Sequence, residues 1–224
     1  MRGLAAPLLA ACSLNLHPVM GTFLNDDKSL SLECLGQSVS FNNVNFAGLG
    51  GTGEVLATEN GGILKVSYPN TKDKIVKECK ILRKMAALGI KNIETCKSLC
   101  RTTNGGSVDR LVSILEPNFR PSSPASHVVA SLEDISADLA AMHAIKSLLY
   151  TFLQMLANDI VSSDVQFLVD TDTGNTLLID FTEAHEVRSF GPRAQDEAHS
   201  FFSEIMSFIP QKYEGFAQAE LVDL

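Results

Sequence analysis

Nowhere does this chain carry an apolar run near the length that spans a bilayer; the longest, around residues 148–157, is interrupted by Gln154. No transmembrane span is therefore expected. Basic residues are in the minority, 18 Lys and Arg against 26 Asp and Glu, and a net charge of −8 argues against a broad nucleic-acid or acidic-membrane surface. Cysteine is scarce and odd in number. Cys12, Cys34, Cys79, Cys96 and Cys100 include no C-x-x-C and have no histidine nearby at zinc-ligand spacing, so a metal centre is disfavoured and buried reduced thiols are the expectation. No internal repeat or low-complexity tract is visible.

What the chain does have is core material. Over 224 residues, 45% are hydrophobic and the mean hydropathy is +0.11, enough for one domain or one small bilobed unit. Residues 1–36 show no strong period and are expected to lie outside the core fold. Within them, Arg2 followed by the apolar residues 4–12 resembles a short signal peptide, and Leu9-Ala10-Ala11-Cys12 resembles a lipoprotein cleavage box with almost no positive region before it. Two expectations stand side by side: export or organelle targeting through residues 1–20, or a cytoplasmic protein with a loose tail.

Candidate chemistry is concentrated in residues 160–184, IVSSDVQFLVDTDTGNTLLIDFTEA. The stretch reads as a loop carrying Asp164, a strand over 167–170, a turn at Asp172-Thr173-Gly174-Asn175, a second strand over 176–179, and Asp180 where that strand ends. An oxygen ligand at a strand end suits Mg²⁺, and a second carboxylate nearby can accept a proton from a hydroxyl, which points to phosphoryl transfer. Acids flanking a surface hairpin are also ordinary solvated turn residues.

The phosphate-binding half lies upstream. A strand over 39–46 leads into Gly48-Leu49-Gly50-Gly51-Thr52-Gly53-Glu54-Val55, which is G-x-G-x-x-G-x-V without a mismatch. Such a run lets backbone N–H groups approach a polyphosphate where side chains would clash, and it fits either a dinucleotide site or a kinase loop. A dinucleotide site needs a helix opening on the glycines. Here a strand over 54–59 follows instead, then the turn Asn60-Gly61-Gly62 and a further strand over 63–68, so the kinase context fits and the dinucleotide context fails.

Lys65 sits on that further strand among Ile63, Leu64 and Val66, where a lysine is costly to bury alone. Residues 71–88 have helical spacing, with Ile75, Cys79, Leu82 and Met85 or Ala86 on one stripe, and Gly89 closes the helix. Glu78 falls on the same stripe. It reads either as an edge residue reaching water or as the inward partner of Lys65. Strands over 93–101 and 110–115 follow around Asn104-Gly105-Gly106. Glu116-Pro117 ends the second, and residues 118–126 form a Pro- and Ser-rich connection.

Beyond it, residues 131–143 read as a helix with Ser131 and Asp134 as candidate caps, and His143 as a polar residue near its end. Ile145, Leu148, Leu149, Phe152, Leu153 and Leu156 recur at intervals of three and four, giving a long buried helix into the Asp164 loop. Residues 194–207 form an amphipathic helix, and Pro210 starts a last short one.

In this order the elements resemble the protein-kinase fold over about residues 39–209. The specific matches are the glycine loop 48–55, Lys65, the helix Glu78-Cys79-Lys80-Ile81-Leu82-Arg83-Lys84-Met85, the Asp164 loop, and Asp180-Phe181 at the D-F-G position. The resemblance implies an α+β, protein-kinase-like bilobed fold: a β-rich N-lobe with one helix over 37–117 and a reduced helical C-lobe over 118–224. It implies ATP and Mg²⁺ as cofactors. Gly48, Gly50, Gly51, Gly53 and Val55 would cover the nucleotide, Lys65 would hold the α/β-phosphates and pair with Glu78, and Leu115 and Glu116 would lie where backbone groups read the adenine edge. Asp180 would hold Mg²⁺, Asp164 would orient or deprotonate a protein or small-molecule hydroxyl acceptor, and Asp196 would brace the Asp164 loop, unless it is simply a favourable first-turn residue of its helix.

Departures accompany the matches. The catalytic-loop pattern H-x-D-x-x-x-x-N appears as Ser162-Ser163-Asp164-Val165-Gln166-Phe167-Leu168-Val169, so Ser162 replaces the His and Val169 the second metal ligand, with Gln166 offering an amide oxygen in its place. Thr182 replaces the glycine of D-F-G, no A-P-E follows, and forty-four residues come after Asp180, which resembles small atypical kinases and aminoglycoside or choline kinase relatives. Two other readings stay open: a pseudokinase that binds nucleotide or partners without catalysis, and an unrelated α+β binding protein whose glycines are only turn residues.

Overall fold

Leu35 and Gly36 both adopt left-handed backbone angles, φ 52° and 79°, the geometry of a two-residue hairpin turn. They join strand β1 (Leu30–Cys34) to β2 (Gln37–Phe41) in the computed structural model, which describes residues 28–59, 62–103, 110–117, 119–187 and 192–223. This hairpin corrects, for residues 28–36, the expectation that residues 1–36 lie outside the fold; the possible targeting segment at residues 1–20 lies outside the described residues. Leu30 and Leu32 are fully buried while Glu33 is exposed, an alternation too short to stand out in the sequence. The strand expected over 39–46 is likewise divided: β2 ends at Phe41, Asn43 turns left-handed (φ 51°), and β3 (Asn45–Leu49) begins anew.

The hairpin belongs to a seven-stranded antiparallel sheet. Its other members are β4 (Gly53–Ala57), β5 (Ile63–Ser67), β6 (Thr95–Thr102) and β7 (Leu111–Glu116), in the order β2-β1-β6-β7-β5-β4-β3. Helix α1 (Lys72–Ala87) crosses between β5 and β6 and buries Ile75, Cys79, Leu82 and Met85 together with Glu78. It stops in a Schellman arrangement: Gly89 takes φ 76° and donates to Ala86 O, while Ile90 N–H reaches back to Met85 O.

Four of the five cysteines are joined, Cys34 to Cys100 and Cys79 to Cys96. Reduced thiols were the expectation, and the structure corrects it. The pairs lie 66 and 17 positions apart, and only the docking of β1 and α1 against β6 brings them together.

The second half consists of β8 (Val128–Val129), a 3₁₀ turn (Leu132–Asp134), α2 (Asp138–Ala157), β9 (Ile160–Val161), β10 (Gln166–Asp170), β11 (Thr176–Ile179), β12 (His185–Glu186), α3 (Pro192–Ser207), a second 3₁₀ turn (Gln211–Tyr213) and α4 (Glu214–Asp223). The expected helix over 131–143 is not continuous. Ser131 caps only the 3₁₀ turn, accepting from Glu133 N–H, and buried Ile135 is extended (φ −90°, ψ 113°) before α2 starts at Asp138. His143 therefore stands in the second turn of α2, where its Nδ1 meets Thr173 O at 2.7 Å. Strands β11, β10 and β8 form a three-stranded sheet, and β12 pairs with β9.

Two cores result. A small one on one face of the large sheet holds Leu30, Leu32, Leu56, Leu64, Val66 and Val112. The large one is shared by α1, α2, α3 and strands β9 to β11, through residues such as Leu82, Met85, Ile145, Phe152, Phe167 and Phe201. Helix α2 alone among the described helices has the length and apolarity of a membrane crossing, but half of its apolar window is buried within the protein, so there is no clear transmembrane span among the described residues. The architecture is mixed α+β, with one large antiparallel sheet and, among the described residues, four α-helices.

Candidate functional site

Strand periodicity sends Leu64 and Val66 into the small core and Lys65 to the opposite face, toward α1. Lys65 is 4% exposed and Glu78, on the inward stripe of α1, is 1% exposed. Their side chains meet, Lys65 Nζ to Glu78 Oε1 at 2.8 Å. A third group completes the cluster: Asp180, just past β11, accepts from the same Nζ at 2.8 Å. The following residues lock onto the pair. Phe181 N–H donates to Glu78 Oε1 at 3.1 Å, and the Thr182 hydroxyl donates to Asp180 Oδ1 at 2.6 Å. The left-handed residue is Asp180 itself (φ 55°), and Thr182 contributes its hydroxyl rather than a glycine-like backbone.

Burial opposes charge on Lys65, but the two carboxylates outweigh it and raise its pKa, so the ammonium is charged. Burial likewise pushes Asp180 upward, and the lysine overrides this to hold it below the usual carboxylate range. At Glu78 burial wins over Lys65 and the pKa rises. Glu78 Oε2 is buried without a hydrogen-bond partner among the described residues.

Lys65 and Asp180 line one cavity. Its apolar wall is Leu49, Val55, Ile63, Leu115 and Ile179, its rim includes Gly50, and its polar side adds Gln166 and Glu94. The lining thus sets an apolar wall beside a cation and a carboxylate. Of the glycine run, Gly50 lies on the rim; its N–H bonds Gly53 O at 2.8 Å, and Thr52 O accepts from Tyr68 N–H and from the Thr71 hydroxyl before α1. Gly53 is required by packing, since a Cβ there would lie 2.1 Å from Val66 O. Gly48 and Gly51 face open space, and a Cβ at Gly50 would make only an ordinary contact, so the fold itself does not demand glycine at those three.

The other expected site residues lie in or around this cavity to differing degrees. Leu115 lines the cavity, whereas Glu116 is exposed and pairs with Lys97 at 3.1 Å. Asp164 lines a small adjoining pocket that shares Gln166 and Ile179 with the Lys65 cavity, and Gln166 Nε2 donates to its two oxygens at 3.4 and 3.3 Å. Val169 is fully buried in β10 and offers nothing to a ligand. Asp196 is exposed on α3, and the acid that braces the Asp164 loop is Glu204, which accepts Val165 N–H at 3.1 Å. Among the described residues no three His, Cys, Asp or Glu side chains gather as a metal-binding group.

Sequence reading missed two acids. Asp170 is 1% exposed at the end of β10 and accepts bonds from Ser122, Ser126, Asp172 and Thr173, tying the connection before α2 to the hairpin turn. Glu94, 8% exposed just before β6, lies in the cavity and accepts Asp180 N–H at 3.3 Å. Neither has a periodic signal, because each is defined by partners distant in the chain. No protein-family model matches the chain, and no curated protein matches it in sequence.

Proposed function

We propose that this protein is an atypical, protein-kinase-like phosphotransferase that binds ATP with Mg²⁺ and passes the γ-phosphoryl group to a hydroxyl on a protein or small molecule. In this reading the large sheet with α1 is the nucleotide-covering lobe, and the elements from α2 onward form a reduced second lobe. The observation that carries it is the Lys65 ammonium, held at 2.8 Å by both Glu78 and Asp180 at one wall of a cavity that the glycine run borders. A buried lysine fixed by a helix acid is set to meet phosphate oxygens without rearranging. Gly48, Gly50 and Gly51 would let the backbone approach the phosphates, and Val55 and Leu115 would pack on the base. Asp180, with Gln166, would hold the metal, which when bound neutralises charge on the triphosphate. Asp164 would take the acceptor proton from the adjoining pocket.

One observation favours a second reading, a pseudokinase that keeps nucleotide binding but not transfer. Val169, where a second metal ligand would be needed, is buried and apolar. The two readings part on ATP binding with and without Mg²⁺ followed by ATP turnover, using the full chain beside Lys65→Ala and Asp180→Ala, each first checked for cooperative unfolding. Binding lost in Lys65→Ala and turnover lost in Asp180→Ala is the expected result. Binding without turnover selects the pseudokinase, and absence of binding by the native chain rejects both.

A further inference from the structure

Glu94 stands at the seam between the two sheets. Ile93 bridges Leu178 in parallel: Leu178 N–H donates to Asn92 O at 2.8 Å and Glu94 N–H to Leu178 O at 3.1 Å. This short ladder carries the Glu94 side chain to the end of β11. There Asp180 turns left-handed, an angle that residues with a Cβ rarely adopt, and its N–H leaves the strand ladder. Without an acceptor, that N–H would be an unpaired donor in a largely buried position. Glu94 Oε2 receives it at 3.3 Å.

An acid here is costly. Glu94 shares the neighbourhood of Lys65 with Glu78 and Asp180, and burial, aided by the negative charge of Glu78, pushes its pKa up to about 8. Either protonation state of the carboxyl can still accept an N–H. An apolar side chain would fill the position more easily but could not make the bond.

We propose that Glu94 is a positioning residue: by accepting Asp180 N–H it fixes the left-handed turn that aims the Asp180 carboxylate at Lys65 and the cavity. The consequence for metal-dependent binding rests on the phosphotransferase reading, whereas the positioning is a property of the chain alone.

Two substitutions separate the bond from the bulk. Glu94→Gln keeps an acceptor of the same shape, and Glu94→Leu keeps volume without one; Glu94→Met replaces the leucine variant if that does not fold. In the ligand-free protein, amide hydrogen exchange at Asp180 should quicken about tenfold in Glu94→Leu and stay near native in Glu94→Gln, the factor of about one lost hydrogen bond. Exchange at Leu178, bonded to Asn92 O, should not change in either. With a fluorescent ATP analogue, the ratio of affinities with and without Mg²⁺ should fall about tenfold in Glu94→Leu and be restored in Glu94→Gln. Equal Asp180 exchange in the leucine and glutamine variants overturns the positioning role. Faster exchange with an undiminished Mg²⁺ effect overturns its consequence for the metal. If the native chain binds no nucleotide, the phosphotransferase reading fails, and the exchange measurement alone decides the positioning.

Discussion

Lys65 and Asp180, 115 positions apart, meet at 2.8 Å, and Glu78 holds the same ammonium from the other side. Removing the cation leaves Glu78 as a buried, uncompensated charge. Lys65→Met is expected to lose about 3–5 kcal/mol of stability, and Lys65→Met combined with Glu78→Leu to lose clearly less than the two single changes added together. Urea unfolding of the four proteins measures this. A loss below about 1 kcal/mol in Lys65→Met would mean that the pair is solvated.

The disulfides are tested by counting thiols. Unfolded without reductant, the chain should show no more than one free thiol, since four of five cysteines are paired. Replacing both members of a pair by serine should cost about 3 kcal/mol for Cys79–Cys96 and about 4 kcal/mol for Cys34–Cys100, by loop-closure entropy alone. Five reactive thiols in the native protein would exclude both bridges.

Asp170 gives a pH dependence of known sign. Burial disfavours its charge, yet the bonds from Ser122, Thr173 and Ser126 together hold its pKa well below the usual carboxylate range. In the unfolded chain it takes up a proton near about pH 4, so the unfolded state binds more protons there, and the stabilisation present above that pH is lost as pH falls. Asp170→Asn should cost about 2 kcal/mol at neutral pH, and the gap from the native protein should narrow in denaturant titrations from pH 5 downward. A gap constant with pH would contradict the buried carboxylate.

Leu35 is 94% exposed and left-handed, so its side chain contributes strain and almost no packing. Leu35→Asn should raise the unfolding free energy by about 0.5–1 kcal/mol without touching the site. Thermal unfolding detects it, and a decrease would show that Leu35 packs against something.

Much of the local structure was legible in the sequence. The helix from Lys72 with its stop at Gly89, and the strand pair on either side of Asp172–Asn175, followed from spacing and turn residues, because 3.6- and two-residue periods and glycine's angular freedom are local properties. The same periods turned Lys65 and Glu78 inward, and the structure joins them. Elements too short to show a period were not legible: β1, whose burial rests on Leu30 and Leu32, and the extended break at Ile135 that divides the helix expected over 131–143.

The order of elements along the chain thus led, through its resemblance to the kinase fold, to the α+β class, and local spacing alone marked the candidate glycine loop, the strand lysine and the glutamate on the helix stripe. Tertiary structure alone decided the cysteine pairing, the capture of Asp170 by the connection before α2, the bracing of the Asp164 loop by Glu204, and the arrival of Glu94 at Asp180. Each of these joins residues from separate elements whose approach depends on how the sheets and helices dock. A pairing of that kind leaves no local pattern, because its partners are chosen by the packing of the shared core rather than by their neighbours in the chain.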